Sequence, residues 1–183
     1  MKDIITLSGD IGSGKSSVAK ILVGLLGFKL ISAGGVQREI AASMGLTTLQ
    51  LNERSALDRS VDDRIDSYTK TLGETTDKII VDSRLAWHFI PGAYKVFLAV
   101  SDDVGAMRVF DASRSDEKHS SLADALANNR ARRELEAGRY KALYNVDLRD
   151  YANYDLVVDT STQVPEKIAA AIVAGFRARA LCR

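Results

Sequence analysis

One cysteine, Cys182, stands in a chain of 183 residues. An intrachain disulfide is thereby excluded, and so is a metal site built on thiolates. No stretch approaches the roughly 20 consecutive apolar residues that a membrane-spanning helix needs. Met1-Lys2-Asp3 passes straight into an apolar strand pattern, which leaves no room for a signal peptide. The expectation is a cytoplasmic protein in a reducing setting, without membrane contact. A surplus of charge is lacking too: the net charge is +1, which argues against a general nucleic-acid surface. Repeats, low-complexity segments and linkers are absent, so the length predicts a single domain over residues 1–183.

Arginine, by contrast, is plentiful: 15 of the 25 basic residues. A guanidinium grips phosphate bidentately where an ammonium acts as a point charge. A codon bias toward arginine would give the same composition. The stretch that decides the chemistry is Gly9-Asp10-Ile11-Gly12-Ser13-Gly14-Lys15-Ser16, a match to G-x-x-x-x-G-K-[ST]. Ile4–Ser8 before it predicts a buried strand. Val18, Ile21, Leu22 and Leu25 after it fall on one helical face. In that context Gly9, Gly12, Ser13, Gly14, Lys15, Ser16 and Ser17 form a phosphate cradle of backbone amides at a helix start. Lys15 reaches the terminal phosphates of ATP, and the Ser16 hydroxyl ligates Mg²⁺.

Further along, a second strand is expected at Phe28–Ser32, then a turn at Ala33-Gly34-Gly35 and a helix ended by Gly45. Capping-box patterns at Thr47–Gln50 and Ser55–Asp58 open two more helices, the second ending at Gly73. Lys78–Asp82 predicts a buried strand whose last residue, Asp82, faces the same side of a parallel sheet as the phosphate loop. Strands at Tyr94–Val100 and Asp155–Asp159 and a terminal helix from Pro165 complete the pattern. Arginines 108, 114, 130, 132, 133 and 139 crowd one segment, in which Leu122, Ala125, Asn129, Arg132, Glu136 and Arg139 share a helical stripe. Arg130 and Arg133 fall on the solvated face, and Arg132-Glu136 is also a good i,i+4 surface pair. The fold class is α/β: a three-layer phosphate-loop NTPase fold with a parallel sheet and two helical insertions on its ligand edge. That layout suits a phosphoryl transferase, whose reaction needs charge neutralisation and exclusion of water.

With these residues in view, the sequence resembles the nucleoside monophosphate kinases, most closely the archaeal-type cytidylate kinase-like family. Ser32-Ala33-Gly34-x-x-x-Arg38-Glu39 is similar to the family's S-A-G-x-x-x-R-E, and Asp58-x-x-x-Asp62-x-Arg64 to its D-x-x-x-D-x-R. Val81-Asp82-Ser83-Arg84-Leu85-Ala86 resembles [IV]-E-G-R-L-A. Arg132-x-x-x-Glu136-x-x-Arg139-Tyr140-x-x-x-Tyr144 is similar to its lid helix, and Tyr154-Asp155-Leu156-Val157 to its closing strand. The resemblance implies transfer of the ATP γ-phosphate to a nucleoside monophosphate, CMP or dCMP, with Mg²⁺; separately, a monomer is the favoured expectation. It implies a core of about 1–34, 75–107 and 140–183, acceptor-binding helices at about 35–73 and a lid at about 108–139. Arg38 and Arg84 would hold the acceptor phosphate, with Asp62 and Arg64 near its sugar or base. Arg114, Arg132 and Arg139 would close over the transferring group, and Asp82 would orient Mg²⁺ through its water shell. Departures from the pattern are Lys15-Ser16-Ser17 in the loop, Ile65 for a glutamine, Ser83 for a glycine and Gly105 for an arginine. The alternatives are a small-metabolite kinase such as a dephospho-coenzyme A kinase, whose loop is similar, and a nucleotide-binding regulator without transfer activity.

Overall fold

A computed structural model describes residues 2–46, 50, 59–111 and 120–181. Within them a five-stranded parallel sheet runs β2-β3-β1-β4-β5, with β1 at Ile4–Gly9, β2 at Lys29–Ser32, β3 at Ile79–Asp82, β4 at Tyr94–Ala99 and β5 at Leu156–Asp159. The chain leaves β1 for one side of the sheet and later crosses to the other. The end of β1 is therefore a topological switch point, where open α/β sheets bind ligands. The register carries this to single residues. Leu7 pairs with Asp82, and Ser32 pairs with Asp82 from the other side. Three strand ends thus meet at one level beside the loop.

Strand alternation divides the core. Ile5 and Leu7 face a cluster with Val18, Leu22, Leu98, Ile168 and Ile172, while Ile4 faces the opposite layer with Ile79, Val81, Ala86 and Ile90. Helix α1 (Lys15–Leu26) buries Val18, Ala19 and Leu22 and ends at Gly27 in the left-handed conformation. Leu25, expected on its buried face, is 52 % exposed. The terminal helix α7 (Pro165–Leu181) packs against α1.

Two helix boundaries differ from the sequence expectation. Helix α2 spans Ala33–Ser43, so Ala33-Gly34-Gly35 is its first turn rather than a separate one, because the Ser32 hydroxyl caps it by accepting from the Gly35 amide at 3.1 Å. Helix α3, Ser60–Thr75, runs through Gly73. There the glycine serves packing: a Cβ would lie 2.8 Å from the Ile90 side chain. The two capping-box segments lie outside the described residues except for Gln50. Ile65, Tyr68 and Leu72 of α3 pack on Val36, Ile40 and Ala41 of α2, and the Tyr68 hydroxyl donates to Glu39.

After the one-turn helix α4 (Ala86–Phe89), β4 leads into α5 (Asp102–Asp111), which lies against the long α6 (Leu122–Tyr144). Asp102 ties the two together: its oxygens accept from Arg133 at 2.5 and 3.1 Å and from Arg130 at 3.1 Å. These hydrogen bonds hold the Asp102 carboxyl down at about 2. Arg130, 53 % exposed, keeps its place on the solvated face while it pairs with Asp102, whereas Arg133, 31 % exposed, is a partly buried anchor between the helices. Among the described residues, no helix is long and apolar enough to cross a membrane.

Candidate active site

Gly14, left-handed at φ 81°, precedes α1 and offers no side-chain cap. The first amides of that helix, which have no intrahelical acceptors, and the positive end of its dipole are left to face an anion. Inside the loop, the buried Ser13 hydroxyl donates to the Asp10 carbonyl at 2.8 Å, and the Asp10 amide donates to the Leu98 carbonyl at 2.9 Å. The Asp10 carboxylate accepts from the Val100 amide at 3.2 Å and pairs with Arg149 at 2.8 Å. Gly12, at φ 77°, lies so close to Gly105 that a Cβ would collide with the Gly105 carbonyl. A Cβ at Gly105 would in turn lie 2.7 Å from the Ile11 carbonyl oxygen. Gly105 is thus the seat on which the loop rests. A side chain there would displace the loop, whatever chemistry it brought.

Lys15 Nζ donates to the carbonyls of Gly9 at 3.1 Å and Asp10 at 3.2 Å. Burial, and secondarily the charge of Arg84, push its pKa down from an ordinary 10.5 to about 8, against the pull of Asp82, Asp10 and Glu136. With the folded value below the unfolded one, the unfolded chain binds the proton more strongly between those limits. Stability of the ligand-free protein therefore rises with pH across that window. An anion on the loop favours the charged lysine. Titrating inorganic pyrophosphate into the protein at pH 8 is thus expected to take up protons, measured calorimetrically in two buffers of different ionisation enthalpy. The uptake is expected to exceed that of Lys15→Ala, in which only the ligand's own protons are exchanged; equal uptake by the two proteins would show that Lys15 is already fully charged.

Next to Lys15, the Ser16 hydroxyl faces Asp82 Oδ2 at 3.5 Å. Burial raises the Asp82 pKa, while Lys15, Ser16 and Arg84 act against the shift. A hydroxyl and a carboxylate are hard oxygen donors. They suit Mg²⁺, which takes few protein ligands and fills its octahedron with phosphate oxygens and water.

Across the cleft, Arg84 follows β3 with its backbone pinned: its carbonyl accepts from Ser8 Oγ and Trp87 Nε1, both at 3.0 Å. Its Nη1 donates to the Gly9 carbonyl at 2.8 Å, and its Nε pairs with Glu136 Oε2 at 2.6 Å. Arg132, one turn earlier on α6, donates from Nε to the other Glu136 oxygen at 3.2 Å. One carboxylate therefore bridges arginines from two distant segments. Further down α6, Arg139 grips both oxygens of Asp62 on α3 at 2.6 and 2.7 Å. The Tyr144 hydroxyl donates to Asp66, one turn on, at 2.8 Å. Burial raises the Asp66 pKa, with the Tyr144 hydrogen bond opposing.

Lys15, Ser16, Ser17, Asp82, Arg84 and Arg132 all line one cleft of about 780 Å³, which also reaches Ser32 and Gly34 at the start of α2. Arg108, Gln163 and Pro165 also line it. Arg38 is exposed on α2, its Nη1 3.5 Å from where a Gly34 Cβ would be. Arg64 is exposed on α3. Arg114 lies outside the described residues. Sequence reasoning missed Arg108, which donates to the carbonyls of Gly12 at 3.4 Å and Thr160 at 2.7 Å. It also missed Arg149 on Asp10 and the Tyr144–Asp66 bond. Each joins segments far apart in sequence, so no spacing announces it.

The model of the cytidylate kinase-like family matches residues 4–162. A protein named cytidylate kinase from Haloquadratum walsbyi is 36 % identical over 177 residues, covering 93 % of this chain and 90 % of the relative. An S-adenosylmethionine-dependent nucleotide dehydratase of Lacinutrix mariniflava is 34 % identical over 178 residues, 97 % of this chain but only 36 % of that longer protein. Among solved structures, shikimate kinase from Aquifex aeolicus superposes with a TM-score of 0.61 at 19 % identity, covering 97 % of this chain and 98 % of the other, which bears on the fold alone. With its loop, sheet order and family match in agreement, the chain belongs to the cytidylate kinase-like family of phosphate-loop kinases and is a phosphotransferase.

Proposed function

We propose that the protein transfers the γ-phosphate of ATP to a nucleoside monophosphate, CMP or dCMP. The observation that carries this reading is that Lys15, Arg84 and Arg132 border one cleft, although they come from the start of α1, the end of β3 and α6. An anion cradle for the donor thus faces a second cationic seat for an acceptor. The α1 amides and Lys15 hold the β- and γ-phosphates, and Arg108, Gln163 and Pro165, which line the same cleft, give the donor base a wall. Ser16 and Asp82 would hold Mg²⁺, which would supply neutralisation of phosphate charge.

Arg84 holds the acceptor phosphate, whose ionised oxygen attacks the γ-phosphorus in line while the bond to the β-bridging oxygen breaks. No general base is needed, because that oxygen carries no proton at neutral pH. Arg132 and Arg139 neutralise charge on the transferring group, and Arg114 joins them from the lid. Arg139 exchanges Asp62 for phosphate on closure, which frees Asp62, with Arg64, for the acceptor nucleoside. Arg38 swings from Gly34 toward the acceptor phosphate. Helices α2 and α3 form the acceptor side, and α6 forms the cover.

Two of the departures that would suit an inactive regulator have packing reasons: Gly105 seats the loop, and Ile65 packs on α2. The test is ADP formation from ATP across a panel of nucleoside monophosphates and dephospho-coenzyme A. CMP and dCMP are expected to give the fastest turnover. ADP release that is equal with and without every acceptor would reject the reading. Preference for dephospho-coenzyme A would move the protein to another kinase class.

A further inference from the structure

Glu136 is the least expected member of the cluster, because it puts a negative charge where two phosphate-bearing substrates are to meet. Its side chain is 22 % exposed, and that of Arg84 is 19 % exposed. Both arginines contact it through Nε. The cleft that holds Lys15 is lined by Arg84 and Arg132 but not by Glu136. Glu136 instead lines a smaller cavity on the other side of Arg84, with Asp10, Arg133 and Arg149. The carboxylate therefore stands behind the two guanidiniums as seen from the cleft.

We propose that Glu136 is a positioning residue with two opposed effects. It fixes the angle at which Arg84 and Arg132 present themselves to the transferring phosphoryl group, and its charge weakens the hold of the resting site on anions. This rests on the kinase reading for its first half only. Lys15, Arg84 and Arg132 repel one another, and a carboxylate between two of them offsets that repulsion without entering the seat. Two Nε–carboxylate bonds also restrict the rotamers of both long side chains before substrate arrives. Transfer in line depends on such prior alignment. The same charge makes the cleft less attractive to inorganic phosphates and to product.

Three proteins decide it: wild type, Glu136→Gln and Glu136→Asp, with exposed Glu134→Gln on the same helix as a control for charge at a distance. Calorimetric titration with inorganic pyrophosphate, without acceptor, reads the charge. Glu136→Gln is expected to bind it roughly tenfold more tightly than wild type, since a unit charge a few ångströms away is removed. Glu136→Asp, which keeps the charge, is expected to match wild type, as is Glu134→Gln. Initial rates with the best acceptor read the alignment. Both Glu136 variants are expected to lose kcat by roughly 10- to 100-fold, because glutamine cannot hold two guanidiniums and aspartate cannot reach them both. A purely structural glutamate would weaken anion binding and kcat together. Unchanged or weaker pyrophosphate binding by Glu136→Gln, or tighter binding by Glu136→Asp, would overturn the charge half. Unchanged kcat in both would overturn the alignment half. Absence of turnover with every acceptor in wild type would instead reject the kinase reading, and the pyrophosphate titration would still judge the charge.

Discussion

Replacing Lys15 by alanine is expected to lower kcat by on the order of 1000-fold, while the KM for the acceptor changes by no more than about threefold. The ammonium donates to the carbonyls of Gly9 and Asp10, in a buried setting that depresses its pKa to about 8. Those contacts are a resting arrangement. Phosphate is the better partner, and the β–γ bridging oxygen gains negative charge as its bond to the γ-phosphorus breaks. The lysine is thus worth more in the transition state than in the bound ground state, which is the condition for an effect on kcat. Removing it does not undo the loop, since Arg84 also donates to the Gly9 carbonyl. The melting temperature of the ligand-free variant is therefore expected not to fall, because a buried cation held below its normal pKa has been deleted. Initial-rate kinetics with both substrates varied, beside a thermal melt, check both parts. A variant with unchanged kcat would remove Lys15 from the reaction.

Arg84→Ala is expected to act on the other substrate, raising the KM for the nucleoside monophosphate by roughly 100-fold with the KM for ATP within about threefold. The guanidinium stands where three groups converge: the Gly9 carbonyl, the Glu136 carboxylate and the cleft itself. Its loss leaves Glu136 with Arg132 as its i,i+4 partner, so a negative charge is set beside the acceptor seat with less compensation. Arg84→Lys is expected to recover little, because a single ammonium cannot satisfy the carbonyl, the carboxylate and a phosphate in a plane. If acceptor affinity survives in Arg84→Ala, the acceptor seat lies elsewhere in the cleft.

How far the sequence could be read depended on how local each feature is. The loop, α1 and the buried strands are written in short windows. Gly12-Ser13-Gly14-Lys15-Ser16 and the apolar runs at Ile79–Val81 and Val96–Leu98 need only their neighbours to declare themselves. Asp82 was found the same way, from its place at the end of a buried run, and the register sets it against Leu7 and Ser32. Boundaries were less legible. Gly73 reads as a stop, yet α3 continues through it because the Ile90 side chain fills the space a Cβ would take. Charged residues on α6 were the least legible. Arg130 and Arg133 have the spacing of a solvated face, and only the approach of α5 gives them Asp102.

By itself the sequence determined that this chain builds an anion cradle on the first strand of a parallel sheet, because a glycine-rich turn between an apolar strand and an amphipathic helix has few other conformations. Which arginines face that cradle was decided only by the tertiary structure. A long flexible cation accepts any carboxylate or carbonyl within reach, and reach is set by where the sheet and α6 bring residues 77 or 139 positions apart together, as with Arg139 on Asp62 and Arg149 on Asp10.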